Sequence, residues 1–179
     1  MEVGTEFFAR NTLEVAQELL GKRIAYRDCV GVIVETEAYR DDPASHGVRR
    51  SEKARLLKET YGRIYVYSIY GMHFCLNFTT ERQGVGAVLI RAVEPVRGVE
   101  IMRQRRKTKD LYRLTNGPGK LCQAFDIGRE LLGKGVGDEF KVLRGAAPRR
   151  IERARRIGIS KAKDLDWRFF IPENPFVSR

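Results

Sequence analysis

The chain has 179 residues, the size of one domain, and is 42% hydrophobic, which allows a normal core and excludes global disorder. Thirty-four basic residues against 23 acidic ones leave a net charge of +11. Such an excess attracts polyanions, of which nucleic acid is the commonest, and a merely well-charged surface is the plainer reading.

Asn11 followed by Glu14 predicts a helix start and Gly21 its end, with Leu13, Ala16 and Leu20 on one face. Gly31 to Tyr39 (GVIVETEAY) predicts a strand. Strict alternation puts Val32, Val34, Thr36 and Ala38 on one face and Ile33, Glu35, Glu37 and Tyr39 on the other. A turn or loop with Pro43 follows over 41–47, then an exposed helix from Ser51 to Glu59. Arg63 to Phe78 is rich in aromatic and branched residues around Tyr70-Gly71, which predicts a β-hairpin with Tyr70 at or beside its tip. Gly86 to Ala92 predicts a further strand. Pro95 is expected to open a helix through Arg103, Arg105, Arg106 and Lys107. Gly117-Pro118-Gly119-Lys120 leads into another through Leu121 and Phe125, and Pro148 into a last one ending near Gly158. Trp167 to Val177 reads as strand and irregular structure. The mixture lacks a βαβ rhythm. The expected fold class is α+β: a single domain over 1–179, with a curved antiparallel β-sheet, surrounding helices and a protruding β-hairpin.

Cys29, Cys75 and Cys122 are odd in number and lack C-x-x-C spacing, so neither a disulfide framework nor a zinc site is expected. His46 and His73 are too few for a histidine cage, and no metal or cofactor is expected. No apolar run in the first ten residues resembles a signal peptide, and none elsewhere is long enough to span a bilayer. No strongly apolar amphipathic helix accompanies the charge, which counts against a membrane partner. The expected location is intracellular: cytoplasm or nucleoid in a prokaryote, nucleus in a eukaryote.

Several residues carry potential chemistry. Glu35 and Glu37 share a predicted strand face, so each raises the cost of ionising the other. A carboxylate so perturbed beside a substrate suits a general base, whereas the bland reading is a pair of ion-paired carboxylates. Arg91 ends an apolar strand and needs a partner, such as Glu37 or a purely structural acid. Tyr70 at a hairpin tip either folds back onto the sheet or acts as a wedge between bases. Tyr39, His46, Tyr65 and Tyr67 offer flat faces for a flipped base or, for the tyrosines, an ordinary core cluster. Lys120 stands at a helix start suited to phosphate, although these four residues are not a Walker A loop.

In combination and order these segments resemble the alkyladenine (3-methyladenine) DNA glycosylase family. The most specific are Glu35-Thr36-Glu37-Ala38-Tyr39, Ser45-His46 and Tyr65-Val66-Tyr67-Ser68-Ile69-Tyr70-Gly71-Met72. Phe74-Cys75, Asn77, Val88-Leu89-Ile90-Arg91-Ala92, Gly117-Pro118, Arg156-Ile157-Gly158, Arg168-Phe169 and Pro175-Phe176-Val177-Ser178 extend the match over nearly the whole chain. The resemblance implies a monofunctional glycosylase that flips damaged purines, such as 3-methyladenine or hypoxanthine, out of double-stranded DNA. It implies Glu37 as general base, with Arg91 and the backbone carbonyl of Ile157 placing the water. It implies Tyr39, His46 and Tyr67 as walls for the base, and Asn77 as a floor residue disfavouring the amino group of guanine. Tyr70 matches the intercalating residue, flanked by Met72 and His73. No lysine nucleophile and no lyase step are implied, and a monomer is expected. The segment 48–60 (VRRSEKARLLKET) departs from the family's usual R-G-x-T-x-R-N pattern, which puts that loop's DNA contacts in doubt, and His73 replaces a frequent tyrosine. The competing functions are a non-catalytic DNA-binding module of the same fold and a tRNA-binding domain.

Overall fold

Strand β2 (Cys29–Tyr39) is the spine of the computed structural model, which describes residues 1–48 and 51–178. Along one edge it pairs antiparallel with the equally long β5 (Ala87–Arg97), from Val30↔Arg97 to Tyr39↔Ala87. Its other edge is shared: β1 (Arg23–Tyr26) takes the first half and β8 (Arg168–Phe170) the second. The hairpin strands β3 (Ile64–Ile69) and β4 (His73–Thr79) extend the sheet beyond β5. β6 (Phe140–Leu143) extends it beyond β1, and β7 (Glu152–Ala154) pairs with β8. The result is one curled, antiparallel, eight-stranded sheet in an α+β domain, as the sequence predicts.

Among the described residues four α-helices cover it. α1 (Thr12–Glu18) starts where Asn11 accepts a hydrogen bond from the Leu13 amide at 2.9 Å. α2 (Glu52–Glu59) is capped in the same way by Ser51. α4 (Pro118–Phe125) opens with proline in its first turn, where a missing N–H costs nothing, and buries Leu121, Cys122, Ala124 and Phe125. α3 (Val99–Arg106) follows Gly98. The main core lies between these helices and the sheet, with Ile33, Phe78, Ile90 and Val93 meeting Val15, Leu19, Met102 and Phe125. Each fully buried side chain of this size contributes about 1.5–3 kcal/mol. Among the described residues no helix is long and apolar enough to cross a membrane.

Three sequence expectations are corrected. Pro95 does not open a helix: it lies inside β5, paired with Gly31, and α3 begins four residues later. β4 pairs with β5 only from Ala87 to Leu89, so at Pro95 the strand has a ladder partner on one side alone and its missing N–H is tolerated. Pro148 opens no helix either. Glu152–Ala154 is strand β7, because pairing with β8 overrides the local helix preference of these residues. Finally, β2 does not alternate strictly. In its ladder with β5, Ile33 pairs with Val93 but Glu35 pairs with Ala92, which leaves Val34 as an extra residue on β2. Thr36 pairs with Ile90, so Arg91 is an extra residue on β5. These bulges send Ile33 into the main core, away from Glu35, and place Val34 in a separate cluster with Ala92 and Phe176. Of segment 48–60, whose DNA contacts the sequence leaves in doubt, Arg49 and Arg50 lie outside the described residues.

Candidate active site

The bulges re-aim the two side chains that matter most. Past them, Thr36 and Ala38 face the helices, with the Thr36 hydroxyl donating to the Ala16 carbonyl, and Glu37 points to the opposite side. There its carboxylate is fully buried. Oε1 accepts the Ile157 amide N–H at 2.7 Å and lies 3.3 Å from Arg91 Nη1, while Oε2 accepts the Tyr39 hydroxyl at 2.8 Å. Burial pushes the Glu37 carboxyl above the usual carboxylate range, and Glu35 pushes the same way. Arg91, the Ile157 amide and the Tyr39 hydroxyl pull it back without cancelling the rise. The backbone group of Ile157 in contact is its N–H; its expected carbonyl role stands apart from this bond.

Arg91 is almost fully buried, yet its polar contacts are long. Nε is 3.4 Å from Glu35 Oε1 and makes no hydrogen bond among the described residues, and Nη2 is 3.5 Å from the Ser178 hydroxyl. A guanidinium has five N–H donors, so Arg91 keeps hydrogen-bonding capacity in reserve beside the carboxylate.

Beside this pair lies a cavity of about 470 Å³, lined by Tyr39, His46, Tyr67, Asn77, Arg91 and Ile157 among others; Glu37 sits behind that wall, bonded to three of its members. The His46 ring meets Tyr67 edge-on at 4.6 Å, and its Nδ1 is 2.7 Å from the Tyr65 hydroxyl. Tyr65 is itself almost fully buried, though it too lines the cavity. Asn77 Nδ2 donates to the carbonyls of Tyr65 and Cys75, at 3.1 and 3.4 Å, which fixes its amide plane at the cavity floor. Burial pushes the phenols of Tyr39 and Tyr67 up, so both are neutral hydrogen-bonding rings at ordinary pH, and it pushes the Cys75 thiol up to about 11.

The hairpin tip lies apart from the cavity wall. The Met72 amide closes a turn onto the Ile69 carbonyl, and both central residues, Tyr70 (φ 51°) and Gly71 (φ 68°), are left-handed. Tight hairpin turns need that geometry, but a side chain there costs about 1–2 kcal/mol. Tyr70 is nevertheless 92% exposed and Met72 76%, so neither ring nor thioether gains from packing on the sheet. His73 is also exposed, and its side chain lies against α4: a Cβ added at Gly119 would stand 3.2 Å from that of His73. One residue on, Lys120 donates to Asn116 at 2.9 Å. Burial, then the neighbouring Arg106 and Arg113, lower its pKa.

Comparison with known proteins gives the same direction. The sequence model of the methylpurine-DNA glycosylase family matches residues 6–175. The chain belongs to the methylpurine-DNA glycosylase family. It is 44% identical to a protein of Prosthecochloris aestuarii over 97% of its own length and 89% of the relative's. It is 42% identical to one of Methanoculleus marisnigri over the whole of both chains, and 43% identical to one of Agrobacterium fabrum over 99% and 93%. All three relatives bear the name "Putative 3-methyladenine DNA glycosylase".

In this methylpurine-DNA glycosylase family member the cavity depends on residues to which sequence reasoning gave no role. Arg156 is buried against Asp42, with bonds of 2.9 and 3.2 Å, and donates to the Ala38 carbonyl at 3.0 Å. Its guanidinium lies 4.7 Å from the Tyr39 ring and 5.1 Å from the Trp167 ring. One side chain thus ties the end of β2 to the loop bearing His46 and to the segment bearing Ile157. Arg168 and Ser178 hold Glu35. Their only sequence signal was membership of matching segments, since nothing in an isolated arginine tells which distant carboxylate it meets. Among the described residues no group of three metal-binding side chains occurs.

Proposed function

We propose that the protein excises alkylated or deaminated purines, such as 3-methyladenine or hypoxanthine, from double-stranded DNA, using water activated by Glu37 and leaving an abasic site. The observation that carries this reading is a buried carboxylate of raised proton affinity, held by Tyr39, Ile157 and a guanidinium with spare donors, all three of which line an aromatic-walled cavity large enough for a purine.

A carboxylate has about four lone-pair positions, and the Ile157 amide and the Tyr39 hydroxyl occupy two of those of Glu37, which leaves room for a water beside Arg91. As the C1′–N bond breaks, the purine leaves with the bonding electrons and the sugar becomes oxocarbenium-like. The negative charge of Glu37 stabilises that cation. The water oxygen then bonds to C1′ and its proton passes to Glu37. A purine carrying positive charge leaves as a neutral base and needs no acid, whereas hypoxanthine leaves as an anion and takes up one proton from solvent, matching the one that Glu37 afterwards releases. Tyr39, His46 and Tyr67 hold the flipped base by their flat faces, Asn77 selects at the floor, and Tyr70 with Met72 fills the gap left in the stack.

Glu37→Gln tests the reading. Excision of 3-methyladenine is expected to vanish while binding to the same duplex persists; undiminished excision would remove Glu37 from the mechanism. In the native protein the working form is the carboxylate. Activity should therefore fall as pH drops through the raised Glu37 pKa, giving an acid limb at higher pH than an ordinary carboxylate would.

A further inference from the structure

A second carboxylate is sealed under the cavity, and the proposed chemistry makes no use of it. Glu35 is fully buried. Its Oε1 accepts from Arg168 Nη1 and from the Ser178 hydroxyl, both at 2.9 Å, and its Oε2 accepts the Ser178 amide at 2.7 Å. Those three hydrogen bonds fill most of the lone-pair positions of Glu35, and Arg91 Nε lies 3.4 Å from its Oε1. Burying such a charge costs several kcal/mol unless it is offset, so its partners define its use.

Arg91 stands between two carboxylates at almost equal distance, 3.4 Å from Glu35 and 3.3 Å from Glu37. If Arg91 alone faced both, it would be drawn to whichever held it better. Arg168 breaks that competition. Its Cα is paired with that of Glu37 across the β2–β8 ladder, but its side chain donates to Glu35, supplying the second positive charge for two negative ones. None of Glu35, Arg168 and Ser178 lines the cavity, whereas Arg91 does.

We propose that Glu35, Arg168 and Ser178 are positioning residues that hold the Arg91 guanidinium over the Glu37 carboxylate, so that β8 and the C-terminal segment complete the reactive centre. This rests on the reading of Glu37 as the base. The groups bearing on Glu37 are Tyr39 and Glu35 from its own strand, Arg91 from β5, Tyr67 from β3, Cys75 from β4 and the Ile157 amide. Behind Glu35 stands Arg168 from β8. Glu35 and Arg168 are the charges in this set that can be changed without altering the cavity wall.

The test is the pH dependence of single-turnover release of 3-methyladenine from methylated duplex DNA. Glu35→Gln removes a like charge from Glu37 and frees Arg91 to face it, so the acid limb should move to lower pH by about one unit. Arg168→Gln leaves Arg91 as the sole cation for two carboxylates, so the limb should move to higher pH by about as much. Ser178→Ala should move it in the same direction as Arg168→Gln, by less, and Arg168→Lys should return it toward the native position. A purely structural role would lower thermal stability in these variants without opposite displacements. Limbs that stay in place, or that move the same way in Glu35→Gln and Arg168→Gln, overturn the proposal. If Glu35→Gln does not fold, the Arg168→Gln and Ser178→Ala limbs decide it alone. An inactive Glu37→Gln with unmoved limbs defeats the network only, whereas an active Glu37→Gln defeats the base assignment beneath it.

Discussion

Asp42 does three jobs with one carboxylate. It pairs with the buried guanidinium of Arg156, accepts the Arg40 amide at 3.1 Å and accepts the Ala44 amide at 3.0 Å. Those bonds shape the turn that carries His46 to the cavity. Removing one partner of a buried pair strands the other charge, which costs about 3–5 kcal/mol. Asp42→Ala is therefore expected to lower the thermal midpoint by roughly 10 °C, read by circular dichroism. A change of less than about 2 °C would mean that Arg156 finds other partners and the clamp is dispensable. At this scale the sequence was legible for residues whose type is unusual in its setting. Glu37 in an apolar strand and Arg91 after one both invite a search for a partner. Arg156 and Asp42 were illegible, because arginines abound in the chain and 114 positions separate the two.

Elements were legible where local chemistry fixes them. The Asn11 cap, the Gly117-Pro118 helix start and the Tyr70-Gly71 turn need only neighbouring residues. β1 and β6, four residues each, have too few positions to show a period, and the bulges in β2 and β5 exist only through their mutual register. The hairpin yields a prediction that belongs to the element. Its tip holds Tyr70 in a left-handed conformation without packing in return, and asparagine accepts that conformation more readily than tyrosine. Tyr70→Asn should thus leave the thermal midpoint unchanged or slightly raised. If the ring is a wedge, affinity for lesion-bearing duplex should fall about tenfold, the scale of one lost stacking contact. Unchanged affinity in a binding titration would return the ring to the role of a surface side chain.

For the molecule as a whole, the charge of +11 and the site geometry make separable contributions to DNA binding. Neutralising phosphates releases counterions, so log affinity should fall linearly with log salt, by about 0.9 per phosphate contact. The excess charge itself was plain in the composition, but where it meets DNA was not, since much of it is engaged internally. Arg105 and Arg106 donate to backbone carbonyls of Ala124 and Leu114, tying α3 to its neighbours. Lys120 differs in position, at the start of α4 beside the hairpin base, where its amine donates to the neutral Asn116. Lys120→Ala should weaken binding to damaged and undamaged duplex alike and reduce the salt slope by about one. Tyr70→Asn should do the converse, lowering affinity for the lesion duplex at an unchanged slope. Measuring both variants across a salt series separates a phosphate contact from a wedge, and an unchanged slope for Lys120→Ala would place the phosphate-binding charge elsewhere on the surface.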